Sequence, residues 1–422
     1  MTQRFTVARH PRRAHYLYAG QAATGKLPVQ AFTGRPGVGL PPWLGAATDL
    51  NFLDPTNPYF HVDRALYSFG PHIGGSVPVT MFGRAPGVTI LGDSGGFQFI
   101  ANPSAFKGDQ TREWVLTTLE HDTDEAMTLD IPTAAISSAG HWPDFDSALS
   151  DSLESLRFFD RHRAHRTRFL NVLQGRDRRE ALAWYEAVKW FPASGWAFGG
   201  AMRRDWGHLV TMLRRMADDG LLGRERNRVH ILGVGDLTGA VLLSAIQRGM
   251  QERLGDDGFL VTYDASSPSY LAGKRKAYSL PRLDEKSFTL ETWSPPVIAR
   301  PDRATATWPF KHTAVGARMT IEDVCAGKSG MARTSWDQLS ETLIVHHNVN
   351  ALLWAIDAAN SVLELHPDDA EGLAPPAVIA VYQALRLACL AADPVSYLRP
   401  YAAGLRPTGA SPVGQYTAPE EQ

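Results

Sequence analysis

The sequence predicts an α/β protein built as a TIM-like (β/α)8 barrel with insertions and a helical C-terminal region. Three observations carry that expectation. From residue 88 onward, short apolar runs alternate with amphipathic helical stretches. The runs recur at intervals of about 25 to 45 residues, which suits repeated βα units around a parallel sheet. Each run also ends in a carboxylate, an amide or paired glycines. A doubly wound open sheet is the alternative, and in both folds ligands sit beyond the carboxyl ends of the strands.

Residues 1–87 form an N-terminal segment leading into the barrel, rich in Gly, Pro and aromatics. Within it, 61–69 reads as a strand or short helix and 77–82 as a strand. Residues 88–279 form the barrel core, with strands expected at 88–91, 126–129, 169–173, 195–198, 229–232 and 259–263. Helices are expected between them at 111–121, 144–164, 178–190, 206–217 and 237–249. In the second of these, Leu149, Leu153, Leu156 and Phe159 recur at helical spacing. Residues 280–400 form an insertion and C-terminal helices completing the barrel. The stretch 280–320 is Pro-rich and irregular, 335–366 is a long helix with a broad apolar face, and a further helix covers 376–392. Residues 401–422 read as a loose tail, rich in Pro, Gly and Ser.

Composition bounds the class. A chain of 422 residues, 44% apolar and 20% charged, is long enough for one large α/β domain with an appendage. No stretch approaches the uninterrupted apolar length of a membrane span, and no membrane association is expected. The N-terminus lacks the continuous apolar core of a secretory signal. Two cysteines, Cys325 and Cys389, make no disulfide framework, and the expected location is cytoplasmic. With a net charge of −2, contact with nucleic acid must come from local basic patches.

The strand ends carry Asp93, Asp130, Gln174, Gly199-Gly200, Gly233-Val234-Gly235 and Asp264. Each alone has an ordinary role, since βα turns need glycine for tightness and aspartate for capping. Their convergence on one rim favours chemistry. The most distinctive string is Asp93-Ser94-Gly95-Gly96-Phe97-Gln98. Gly95 and Gly96 remove Cβ atoms that would hold a flat ligand off the backbone. Phe97 offers a stacking face, and Asp93 and Gln98 offer groups for a heterocycle edge. After Asp264, the cluster Lys274-Arg275-Lys276 is either a solvated loop or a phosphate contact.

The Asp-Ser-Gly-Gly-Phe-Gln string resembles the signature of the tRNA-guanine transglycosylase family, and the resemblance covers roughly residues 85–350. It implies that Ser94, Gly95, Gly96, Phe97 and Gln98 line a base pocket. It further implies that Asp130 and Gln174, with Gly199 and Gly200, bind the purine edge. Leu232 and Gly233 are implied to sandwich the base, and Asp264 to be the nucleophile. The chemistry suits these residue types. A carboxylate can intercept the oxocarbenium-like state that forms when an N-glycosidic bond breaks, and Asp93 can handle the proton on the base. The target nucleotide must then be flipped or single-stranded.

One departure directs the expectation further. The family carries a Cys-x-Cys-x-x-Cys cluster and a His as a structural zinc site, whereas here Cys325 stands alone near His346-His347. No metal and no cofactor are therefore expected, and His347 reads as a packed or surface residue. The loss suggests the DNA-modifying branch of the family, which places a 7-deazaguanine base in DNA. The expected partners are thus nucleic acid, DNA before tRNA, and a 7-deazaguanine base such as 7-cyano-7-deazaguanine. A homodimer or accessory proteins of a modification system are left open. Two competing readings are a catalytically silent nucleobase-binding or nucleic-acid-binding homologue and a metal-dependent barrel hydrolase. The intact Asp93 and Asp264 weigh against the first, and the absence of a His-x-His set weighs against the second.

Overall fold

Eight parallel strands close on themselves in the computed structural model, which describes residues 10–19, 40–76, 86–296, 306–324 and 338–405. They are β1 (His15–Ala19), β2 (Arg64–Ser68), β3 (Thr89–Asp93), β4 (Glu125–Met127), β5 (Arg168–Leu173), β6 (Gly195–Phe198), β7 (Arg228–Ile231) and β8 (Leu260–Ala265). Strand β8 pairs with β1, setting Tyr16 beside Tyr263 and Leu17 beside Asp264. That seam makes the sheet a barrel and rules out the open doubly wound alternative.

The six strands expected from residue 88 onward are all present, with ends displaced by two residues at most. The other two lie within the segment read as leading into the barrel. The 61–69 stretch settles as strand β2. Strand β1 escaped notice because Tyr16-Leu17-Tyr18-Ala19 is apolar on both faces and too short to show a period. The strand expected at 77–82 lies outside the described residues.

Helices α1 (Asp109–Asp122), α2 (Phe145–His162), α3 (Arg178–Val188), α4 (Trp206–Asp218) and α5 (Leu237–Leu254) follow β3 to β7 in turn. Four of them start on an aspartate side chain that accepts a backbone N–H of the first turn. Asp144 caps α2, Asp177 caps α3, Asp205 caps α4 and Asp236 caps α5. After β8 come the short α6 (Ser267–Gly273) and an antiparallel pair outside the barrel, β9 (Ala277–Leu283) and β10 (Phe288–Trp293).

The long helix α7 (Gln338–Leu363) packs on α5, α6 and β9, and α8 (Pro376–Ala388) packs on α5. A Cβ added at Gly249 of α5 would stand 2.5 Å from the Arg386 carbonyl, so these two helices touch at backbone distance. Among the described residues the C-terminal region thus completes the helical coat and adds no strand to the barrel. No described helix is long and apolar enough to cross a membrane.

Alternation along the strands sorts the barrel interior into levels. A middle ring is mostly apolar: Leu17, Leu66, Leu91, Met127, Leu170, Val172 and Ala197 form their own buried cluster. Two residues earlier on the strands lies a charged floor. There Glu125, 3% exposed, accepts from Arg168 at 2.5 Å and lies 3.4 and 3.5 Å from Arg228 and Arg64. Three guanidiniums offset the cost of burying one carboxylate. Glu125→Gln leaves them crowded without a counter-charge. We expect a loss of about 3 kcal/mol in denaturant-measured stability, with little change at the opposite end of the barrel.

Candidate active site

Two residues beyond the inward-facing positions of the same strands stand Ser68, Asp93, Gln174, Gly199, Leu232 and Asp264. The parity of the pleat therefore aims them at the carboxyl-end mouth of the barrel, where TIM-barrel chemistry takes place. The ordinary explanation for an aspartate at a βα turn, capping the next helix, fails for Asp93 and Asp264 and also for Asp130 after β4. Helix capping falls to Asp144, Asp177, Asp205 and Asp236, which leaves Asp93, Asp130 and Asp264 without that job.

Asp264 is held from one side. Its Oδ1 accepts the Gly233 backbone N–H at 2.9 Å and faces Nε2 of His230 at 3.2 Å. No hydrogen bond to Oδ2 is found among the described residues. Gly233, with φ of +69°, takes a conformation that side chains disfavour, which turns its N–H toward the carboxylate. Arg204 donates to the Gly233 carbonyl at 2.8 Å, and Arg203 donates to the Gly200 carbonyl. The Arg203 guanidinium lies against Gly233 and close enough to feel the charge of Asp264, and burial depresses its pKa.

Asp93 is half-buried at the end of β3 and accepts hydrogen bonds from the Ser68 hydroxyl and, at 3.1 Å, from the Gly95 N–H. Loss of solvent raises its pKa, and the charge of Asp264 raises it further, against those two hydrogen bonds. Asp130 is 7% exposed and accepts from the Gln174 amide at 2.8 Å. Its pKa is pushed up to about 7, first by burial and then by the charge of Asp93. The mouth therefore gathers three carboxylates close enough to influence one another.

The glycines of the Asp93–Gln98 segment are required by the fold itself. A Cβ on Gly95 (φ +87°) would meet the Gly70 Cα at 2.2 Å, and one on Gly96 would meet the Asp130 carbonyl at 2.6 Å. The missing side chains let loops of β2, β3 and β4 pack backbone to backbone, and no ligand is needed to explain them. Gly199 and Gly200 do likewise for Gln174, whose amide would stand 2.6 and 2.9 Å from their Cβ atoms. Ser94 is buried and donates to the Thr128 carbonyl at 3.2 Å, so it braces the rim from within. Phe97 is 50% exposed at the mouth, while Gln98 and Leu232 are half-buried beside it.

Lys274, Arg275 and Lys276 end α6, about 10 Å of helix away from the strand that carries Asp264. Arg275 adopts a left-handed conformation (φ +57°) that closes the helix, and Lys274 lies over the Tyr270 ring at 4.3 Å. Among the described residues none of the three has a carboxylate partner. His347 is fully buried, with Nδ1 2.7 Å from the Thr313 hydroxyl and Nε2 2.8 Å from the Tyr278 carbonyl. Burial pushes its pKa down to about 3. Its two ring nitrogens are thus engaged by protein, as a packed histidine requires. Cys325 lies outside the described residues, among which no group of His, Cys, Asp and Glu could hold a metal ion.

Compared with known proteins, the chain matches no family model and no curated sequence. The site must therefore be read from its own geometry. That geometry adds His230, Ser68 and Arg203 to the residues at the mouth. The signal for His230 was present but faint: it sits two residues before Leu232 and so shares its inward face.

The elevated pKa of Asp130 has a measurable cost. A carboxyl whose pKa rises from about 4 unfolded to about 7 folded holds its proton longer in the native state. Stability should thus fall as pH climbs between those values and level off above them. Against Asp130→Asn, the wild type should lose on the order of 3 kcal/mol from pH 4 to pH 8. Parallel denaturation curves for the two proteins across that range check the sign.

Proposed function

We propose that the protein is a glycosyltransferase of the guanine-transglycosylase type. It would exchange guanine in nucleic acid, with DNA favoured over tRNA, for a 7-deazaguanine base such as 7-cyano-7-deazaguanine. The observation that carries the reading is the carboxylate set at the mouth. Asp264 has one oxygen fixed by two donors and the other available, Asp93 feels its charge, and Asp130 is bonded to Gln174 beside them. The resemblance of the Asp93–Gln98 string to the transglycosylase signature supports the same chemistry.

The steps follow from the residue types. Oδ2 of Asp264 bonds to C1′ as the C1′–N9 bond breaks, and that electron pair leaves on the purine. Asp93, with its raised pKa, gives the departing base a proton and becomes a carboxylate. It then takes the N9 proton of the incoming base, whose nitrogen attacks C1′ and frees Asp264. Asp130 and Gln174 hold the purine edge, and Phe97 offers its exposed ring for stacking. The missing thiolate cluster favours DNA, because His347 spends both nitrogens on protein contacts and the sequence holds just two cysteines.

Asp264→Asn should retain the fold and lose base exchange, because the amide keeps the shape without the nucleophilicity. The assay is incorporation of labelled guanine or 7-cyano-7-deazaguanine into duplex DNA and into tRNA. Wild-type turnover in Asp264→Asn, with deamidation excluded by mass spectrometry, would overturn the nucleophile. Label entering only tRNA would overturn the polymer and leave the exchange chemistry standing.

Lys274, Arg275 and Lys276 are proposed to contact the phosphates flanking the flipped nucleotide. Changing all three to Gln should weaken polymer binding regardless of sequence and flatten its salt dependence by up to about 3 in log–log slope. The choice of free base should not change. A salt slope identical to the wild type would remove these residues from the contact.

A further inference from the structure

The middle ring of the barrel has two polar members, and they touch. His230 on β7 and Thr262 on β8 are register partners, buried to 0% and 5% exposure at the level of Leu17, Leu66, Leu91 and Ala197. Nδ1 of His230 lies 2.9 Å from the Thr262 hydroxyl, and Nε2 lies 3.2 Å from Oδ1 of Asp264. A polar ring inside an apolar layer costs stability unless every polar atom is partnered. Here both nitrogens are, so the pair is built to serve something above it.

The protons can be assigned by elimination. Thr262 has one hydroxyl proton and two acceptors in reach, Nδ1 of His230 at 2.9 Å and the Val229 carbonyl at 3.3 Å. If the hydroxyl donates to Nδ1, the neutral imidazole carries its proton on Nε2. If it donates to Val229, then Nδ1 must carry a proton to face the hydroxyl oxygen. Nε2 must then carry one as well, because a bare lone pair beside a carboxylate oxygen repels it. Either way Nε2–H points at Asp264.

We propose that His230 is a positioning residue for the reaction: locked by Thr262, it holds Oδ1 of Asp264 together with the Gly233 N–H, so that Oδ2 is the attacking oxygen. The inference rests on the base-exchange reading above. When Oδ2 bonds to C1′ and the C1′–N9 pair leaves with the base, Oδ1 becomes the carbonyl oxygen of the glycosyl ester. It keeps both donors through the step. When the incoming base attacks C1′, the ester's C1′–Oδ2 bond breaks, its electron pair returns to the carboxylate, and the same two donors receive it. No co-reactant is needed. The His230 donor acts on the rate of adduct formation and not on capture of the base, whose edge is held by Asp130 and Gln174 on other strands.

The test measures two quantities on each variant: the single-turnover rate of the denaturant-resistant protein–polymer adduct, and the affinity for free 7-cyano-7-deazaguanine. Duplex DNA and tRNA are both offered. His230→Phe should slow adduct formation about 100-fold with base affinity unchanged. His230→Gln, whose amide nitrogen can reach the place of Nε2, should recover most of that loss. Thr262→Val, which removes the lock with almost no change in volume, should cost about 10-fold, and Thr262→Ser should restore it. Should His230→Phe fail to fold, the Thr262 pair and His230→Gln still decide the matter. A wild-type adduct rate in His230→Phe or in Thr262→Val, or no difference between Thr262→Val and Thr262→Ser, would overturn the positioning role while leaving base exchange intact. A parallel fall in base affinity and adduct rate in every variant would also overturn it, since loosened packing moves both. A wild-type protein that forms no adduct with either polymer would overturn both readings.

Discussion

The hydrogen-bonded seam between β1 and β8 is the constraint on which the rest of this molecule depends. Once Leu17 is set beside Asp264, closure fixes which face of every strand looks inward, because a slip of one residue would turn every side chain over. With that parity, Asp93, Gln174 and Asp264 share one mouth and Glu125 shares the opposite floor with its arginines. Shifted by one, Asp264 would press into the apolar layer beneath the helices, where nothing could offset its charge.

The two ends of the barrel treat buried charge in opposite ways. At the floor, one carboxylate meets three guanidiniums. At the mouth, three carboxylates meet hydrogen-bond donors that are mostly neutral, and two of them have raised pKa values. The floor is arranged for stability. The mouth gives stability up, and such local cost is tolerated where a substrate can repay it. Arg203, which feels the charge of Asp264, spends a hydrogen bond on the Gly200 carbonyl, so its charge biases the site without closing it.

Much of this was legible in the residues. The βα rhythm from residue 88 announced six strands, and the residues ending them announced the rim. What escaped had physical reasons. Strand β1 is apolar on both faces, so it lacks the alternation by which a strand declares itself. His230 lies inside a strand, where a lone polar residue looks like noise until closure sets Thr262 beside it and Asp264 above. Gly95 and Gly96 were legible as special positions, but their neighbours were not. Gly70 and Asp130 come from other strands, and only the folded barrel shows that backbone fills the space.

A TIM-like barrel names no chemistry, since the same scaffold hosts many reactions. What distinguishes this one is how its mouth assembles. The brace on Asp264 is local, joining residues 34 apart on neighbouring strands, and needs only β7 and β8. The pairing of Asp264 with Asp93 is different. It depends on β8 reaching β1, some 250 residues earlier, with β2 and β3 already in register. A partly closed barrel could therefore hold an oriented Asp264 without Asp93 near it. On the base-exchange reading proposed above, such a species would lack the group that protonates the departing base. Splitting the carboxylate pair across the β1–β8 seam ties assembly of the site to closure of the barrel.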